Sequence, residues 1–242
     1  MINNYKTVFS DKKQLSENVF LLNFKLLEPA DINFVAGQYL ILKVPKDNAF
    51  LPRLYSIASG PSKKNEFDLI VELVPNGLAS EYIKSFKIGQ EVSFTGPAGQ
   101  FTVKENAKNK VFLITGTGIA PVRAILQDVK HSESGVDVFW GLKNYQDVYL
   151  FDEFKDFEFQ IPNFRLHICL SRETKLDKID ESVVKYFDIG HVDSCFDKLL
   201  NDGYQLSSAD YYLCGRREVV ESLKNYLLSK KVPLADIHFE KF

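Results

Sequence analysis

The stretch VFLITGTGIAPVRAIL, residues 111–126, passes from an apolar run through two glycines into a helical pattern. VFLIT, residues 111–115, reads as a hydrophobic strand. After Gly118, Ile119, Val122, Ile125, Leu126 and Val129 recur at intervals of three and four, which predicts a helix from about Ala120 with one apolar face. Pro121 suits its first turn, where a missing N–H leaves no bond unmade. Gly116, Thr117 and Gly118 lie between the two, where glycines let a backbone approach a phosphate and helix-terminal N–H groups can bind it. A plain tight turn would use the same glycines. The third glycine of the usual dinucleotide fingerprint is absent, and the next strand, VDVFWG (136–141), ends in Trp140-Gly141 instead of an acid.

Downstream, VDVFWG, FRLHICL (164–170) and DYYLCG (210–215) alternate with helical patterns and a final helix follows, its face carried by Val219, Val220, Leu223, Tyr226 and Leu227. Strands alternating with helices predict a parallel α/β sheet. Upstream the pattern differs. VFLLNFKL (19–26), GQYLILKV (37–44), RLYSIAS (53–59) and FDLIVELV (67–74) are short β-type runs broken by turn residues, with one helix near Leu78–Phe86. In the last run Phe67, Leu69, Val71 and Leu73 alternate with Asp68 and Glu72, which places the two acids on a water face. Many short strands with Gly and Pro turns predict an antiparallel barrel. The polar stretch KENAKNK (104–110) separates the two patterns, so the expected domains are residues 1–106 and 107–242.

A chain of 242 residues, 45% hydrophobic and 26% charged, is ordinary globular material of one or two domains. Its 30 Lys and Arg against 32 Asp and Glu, for a formal charge of -2, exclude a globally basic nucleic-acid binder. With no apolar run of membrane-spanning length and a charged start, the expectation is a cytoplasmic chain outside the membrane. Cys169, Cys195 and Cys214, spaced by 26 and 19 positions, fit neither a disulfide framework nor a metal site. His131, His167, His191 and His238 form no short metal-binding pair either.

RLYSIAS (53–59), GPAGQF (96–101), TGTGIAP (115–121), SRE (171–173), CG (214–215) and EKF (240–242) stand in order and approximate spacing. In this the chain resembles the ferredoxin–NADP reductase superfamily over nearly its whole length. The resemblance implies a flavin-binding antiparallel barrel followed by a pyridine-nucleotide-binding α/β domain.

It also implies roles for matching residues. Arg53 would pair with the flavin pyrophosphate, a bidentate task suited to guanidinium. Tyr55 would stack on the isoalloxazine, and Ser56 would hydrogen-bond near its N5. Gly77 and Ser80, in VPNGLAS (74–80), could hold flavin phosphate at a helix start, or could simply begin and cap that helix. Gly116, Thr117, Gly118 and Pro121 would serve the nucleotide. Ser171 and Arg172 match a pair that grips the 2′-phosphate of NADPH, although some relatives using NADH carry similar residues. Cys214, with Gly215, would lie beside the nicotinamide and position it sterically without acting as a nucleophile. Arg216 and Arg217 replace the prolines or small residues of many relatives; they touch phosphate or are simply exposed at a helix start. Glu240 and Phe242 match a plant-type ending in which the aromatic ring covers the flavin.

The function so implied is hydride passage from NADPH to flavin, here FAD as the commoner choice over FMN, and release of single electrons to a separate ferredoxin or flavodoxin. A separate acceptor is expected because the chain shows no cysteine quartet for an iron–sulfur cluster. Two other readings stand beside it: an NAD(P)H-dependent reductase that serves an oxygenase component or free flavin, and a non-turnover electron-transfer subunit.

Overall fold

The computed structural model describes residues 3–128, 134–201, 203–204 and 209–242; Val129 and His131 lie outside them. Contacts divide the chain into two units, Met1–Val103 with Ala120–Asp128, and Lys104–Ile119 with Val129–Phe242.

The first unit holds six strands, β1 (Asn3–Gln14), β2 (Val19–Glu28), β3 (Tyr39–Lys46), β4 (Ala49–Ser56), β5 (Glu66–Glu72) and β6 (Glu91–Ala98), with helix α1 (Leu78–Lys84). The sheet order is β4-β3-β6-β1-β2-β5, with antiparallel pairing throughout. An antiparallel bridge between Ile57 and Leu69 joins its two edges, and the Ala58 N–H donates to the Asp68 carbonyl at 2.8 Å. The sheet therefore curls into the expected barrel, which hides its edge strands. Its core is aromatic: Phe24 packs on Phe67 at 5.4 Å and edge-on to Phe94 at 5.0 Å.

Two expectations for this unit need correction. Asp68, predicted to face water, is 5% exposed. It is matched there by Arg123, whose Nη1 donates to Asp68 Oδ2 at 3.1 Å and to the Ala58 carbonyl at 2.7 Å, and by Asn23 Nδ2 at 2.8 Å from Oδ1. Arg123 lies on α2 (Ile119–Asp128), the helix predicted to have one apolar face; every residue from Ile119 to Leu126 is instead buried. A helix closed on all sides needs partners for its polar side chains, and Gln127 finds one too, its Oε1 accepting the Gly60 N–H at 2.7 Å.

The second unit is a six-stranded sheet, all parallel, of β7 (Asn109–Thr115), β8 (Val136–Leu142), β9 (Phe164–Leu170), β10 (Phe187–Ile189), β11 (Ala209–Gly215) and β12 (Ile237–Lys241). Its order is β10-β9-β8-β7-β11-β12. The helices are α3 (Phe151–Asp156), α4 (Val192–Asn201) and α5 (Arg217–Ser229). Helix α5 buries Val220, Leu223 and Leu227 as its spacing predicts. It is not the last element, because β12 follows and pairs Ile237 to Lys241 with Tyr211 to Gly215. From β7 the chain builds outward through β8, β9 and β10, then returns to the other side of β7 for β11. The junction of β7 and β11 is thus a topological switch point, where open α/β sheets bind ligands at the carboxyl ends of their strands.

Candidate functional site

Strand β4 departs from the pattern of its barrel. Phe50 is 64% exposed and Leu54 54%, with Arg53 exposed between Pro52 and Leu54. Such an apolar strand surface in a closed barrel suits a flat ligand that covers it. Arg53 Nη1 donates to the Pro52 carbonyl at 2.8 Å, which leaves the rest of the guanidinium fork for an anion. Tyr55 is packed against the barrel core, and burial raises its phenol to about 12 while the Arg53 charge pulls the other way. The phenol therefore keeps its proton at any physiological pH. Ser56 is half-buried opposite Tyr39 at the end of the strand. The exposed Arg53 fork, with Tyr55 two residues on along the same face of β4, fits a flavin with a pyrophosphate.

The Gly77 segment reads differently from its sequence. Asn76, not Gly77, takes the left-handed conformation, at φ 58°. Gly77 sits at φ -77° and is glycine for space: a Cβ there would lie 2.6 Å from Val74 Cγ2. Ser80 is buried, and its Oγ accepts the Val74 N–H at 2.9 Å. That bond ties the hydroxyl oxygen to the turn itself.

In the second unit the sequence-predicted glycines converge at the switch point. Gly116 has φ +54°, Gly215 φ +153°. A Cβ on Gly118 would run into the Cys214 carbonyl, and one on Gly215 into Thr115 Oγ1. The ends of β7 and β11 thus close on each other at Gly118 and Gly215, where a Cβ would collide, while Gly116 and Thr117 stay half-buried at the turn where backbone N–H groups could meet a phosphate. The Gly116 carbonyl accepts from Trp140 Nε1–H at 3.0 Å and from the Tyr149 hydroxyl at 3.3 Å. Sequence reasoning missed these two residues. A tryptophan at a buried strand end, with an indole N–H that needs an acceptor, was the available signal.

Cys214 is buried, and burial, with the Glu240 carboxylate paired across from it on β12, pushes its thiol well above the ordinary range. It stays protonated and acts as a small packed group. Ser171 Oγ donates to the Leu142 carbonyl at 3.2 Å just past β9, with Arg172 exposed beside it. Arg216 and Arg217 are exposed at the start of α5, and the Arg217 N–H donates to the Phe242 carbonyl at 3.3 Å. Phe242 itself is 57% exposed. All three cysteines are free and buried; the Cys169 thiol donates to the His167 carbonyl at 3.8 Å and the Cys195 thiol to the Ile189 carbonyl at 3.9 Å, and His167 stacks on Phe139 at 4.4 Å. Among the described residues no group of three or more His, Cys, Asp or Glu could hold a metal, and no helix is long and apolar enough to cross a membrane.

An antiparallel barrel with an open apolar strand, followed by a parallel sheet with a glycine cradle at its switch point, defines a two-domain flavin and pyridine-nucleotide oxidoreductase. Comparison with known proteins agrees. Residues 6–103 match the oxidoreductase FAD-binding domain family and residues 112–225 the oxidoreductase NAD-binding domain family. The chain is 30% identical over 241 residues to the toluate 1,2-dioxygenase electron transfer component of Pseudomonas putida, covering 98% of this chain and 67% of that protein. It spans about two thirds of the length of the curated relatives it matches. Among solved structures, the cytochrome P450 reductase GcoB of Amycolatopsis shares the fold with a TM-score of 0.86 and 24% identity, over 100% of this chain and 70% of that one. A ferredoxin NADP+ reductase from Neisseria gonorrhoeae, solved with bound FAD and NADP, superposes with a TM-score of 0.83 and 18% identity, over 99% of this chain and 98% of that one. The chain belongs to the ferredoxin–NADP reductase superfamily and is an FAD- and pyridine-nucleotide-binding oxidoreductase.

Proposed function

We propose that this protein is an NADPH-dependent flavoprotein reductase that delivers electrons one at a time to a separate redox protein. The observation that carries the reading is the glycine cradle of Thr115–Gly118 and Cys214–Gly215, combined in one chain with the open apolar face of β4. Bound flavin supplies the exchange between two-electron and one-electron chemistry. The chain's own residues bind and orient. Arg53 pairs with the flavin pyrophosphate, Tyr55 packs on the ring as a neutral phenol, and Ser56 hydrogen-bonds at its edge. Gly77 and Ser80 line the α1 turn near flavin phosphate through backbone groups. Gly116, Thr117 and Gly118 take the nucleotide phosphates, and Pro121 lies in the first turn of the helix that follows them. Cys214 and Gly215 limit where the nicotinamide can sit, and Glu240 and Phe242 complete that end of the site.

The electron acceptor is a ferredoxin, a flavodoxin or an oxygenase component. A specific observation favours the last of these as the second reading: matched relatives include electron transfer and reductase components of a dioxygenase and a monooxygenase. Stopped-flow reoxidation of the reduced protein with candidate ferredoxins, flavodoxins and oxygenase components tests the acceptor. Single-electron oxidation by none of them, with fast reduction of free flavin instead, would remove the proposed function.

Coenzyme choice is assigned to Ser171 and Arg172, because a guanidinium recognises the 2′-phosphate by a charge-assisted bond. Arg172→Ala is expected to raise the Michaelis constant for NADPH by about tenfold or more and leave that for NADH nearly unchanged, an effect on binding and not on the chemical step. Steady-state assays with both coenzymes check it; equal losses make Arg172 structural.

Phe242 is assigned the ring-covering role, weak enough at about 0.5–1.5 kcal/mol of stacking to be displaced. Phe242→Ser is expected to bind oxidised NADP more tightly and turn over more slowly. An unchanged affinity in spectral titration, with an unchanged long-wavelength spectrum, removes that role.

A further inference from the structure

The Gly116 carbonyl oxygen receives two side-chain donors, the Trp140 indole N–H at 3.0 Å and the Tyr149 hydroxyl at 3.3 Å. Both side chains are buried and packed on each other edge-to-face, with ring centroids 4.9 Å apart at 81°. A carbonyl oxygen has two lone pairs, so the pair of donors saturates it. We propose that Trp140 and Tyr149 are positioning residues which fix the Gly116–Thr117 peptide so that the Thr117 N–H faces a nucleotide pyrophosphate.

The planarity of the peptide couples the two groups. Gly116–Thr117 is trans, so its C=O and N–H point in opposite directions. Holding the carbonyl against Trp140 and Tyr149 turns the Thr117 N–H to the other side of the turn. That amide lies in the first turn of the helical segment opened at Gly116, where N–H groups have no intrahelical acceptor. The anchor is needed because of what Gly116 is. Its φ of +54° is a glycine conformation, and nothing lies within 4 Å of where a Cβ would stand. The space on the Cβ side is open, and glycine itself permits other peptide orientations. Two buried donors on one oxygen remove that freedom before the ligand arrives, and preorganisation of this kind appears as affinity.

The inference rests on the reading of Thr115–Gly118 as a phosphate cradle, and the test separates the two. Trp140→Phe and Tyr149→Phe keep a ring and delete a donor. The flavin-loaded protein is titrated calorimetrically with ADP-ribose, which carries the pyrophosphate without nicotinamide, and assayed with ferricyanide for KM and kcat. Each single variant is expected to weaken ADP-ribose about two- to fivefold, because one donor remains, and the double variant about tenfold or more. KM should rise in step, with kcat within about twofold and flavin content unchanged. Wild-type protein that binds neither ADP-ribose nor coenzyme removes the cradle reading itself. Wild-type binding that persists within about twofold in the double variant overturns the positioning role alone. Loss of binding together with loss of flavin or a broadened unfolding transition makes the pair structural and overturns it equally.

Discussion

Arg53→Ala is expected to weaken flavin binding by about one to two decades, while Arg217→Ala leaves it unchanged. A charge-assisted hydrogen bond contributes about 1.5–3 kcal/mol, and every 1.4 kcal/mol is about tenfold in affinity. Arg53 can deliver such a bond because its side chain is exposed on β4, on the same strand face as Tyr55, and because its bond to the Pro52 carbonyl restrains it before any ligand binds. Arg217 begins α5 in the other unit, with its N–H on the Phe242 carbonyl, and has no comparable strand surface beside it. The neighbouring phenol does not confuse the result. Removing the Arg53 charge takes away the one influence that lowers Tyr55, so its titration moves further up from about 12 and the ring stays neutral in both proteins. Arg53→Lys should fall between, since an ammonium keeps the charge but loses the fork. Spectral titration of the apoproteins with FAD measures all three; equal losses from Arg53→Ala and Arg217→Ala would end the pyrophosphate assignment.

The two-unit architecture was legible because period and composition change at residues 104–110, and the glycines at 116, 118 and 215 mark places where backbone meets backbone. What sequence could not reach was decided by partners far along the chain. Strand β10 is only Phe187–Ile189 and forms by pairing with β9, and β12 takes its place beside β11, so neither announces itself by a long pattern. Ser80 reads equally as a phosphate contact or as a cap of its helix, and only the fold shows that its Oγ accepts the Val74 N–H of the turn before it. Trp140 was read as a missing acid, whereas its indole supports the glycine turn one strand away. The helix after Gly118 was read correctly as a helix and wrongly as one-faced, because periodicity registers Ile119, Val122 and Ile125 but cannot say what faces Arg123.

That arginine carries the second large expected effect. Arg123→Met should destabilise the folded protein by about 3–5 kcal/mol, the usual cost of leaving a buried charge without its partner. Arg123 and Asp68 are 8% and 5% exposed, so little water can replace the lost guanidinium. Asn23 still donates to Asp68 Oδ1 at 2.8 Å, and Lys63 stands 3.7 Å from Oδ2 but is itself half-exposed, which places the cost toward the lower end. Asp68→Leu in the same chain removes the stranded carboxylate and should recover part of the loss. Recovery stops short because the Ala58 carbonyl, which also accepted from Arg123 at 2.7 Å, stays buried without that donor, at about 1–3 kcal/mol. The double variant is therefore expected between wild type and Arg123→Met in urea melts at fixed flavin saturation, with the slope of the transition unchanged. A single variant that costs less than about 1 kcal/mol would show that the pair adds nothing beyond its own desolvation. A double variant less stable than the single would show that Asn23 and Lys63 hold the Asp68 carboxylate well enough that removing it costs more than leaving it without Arg123.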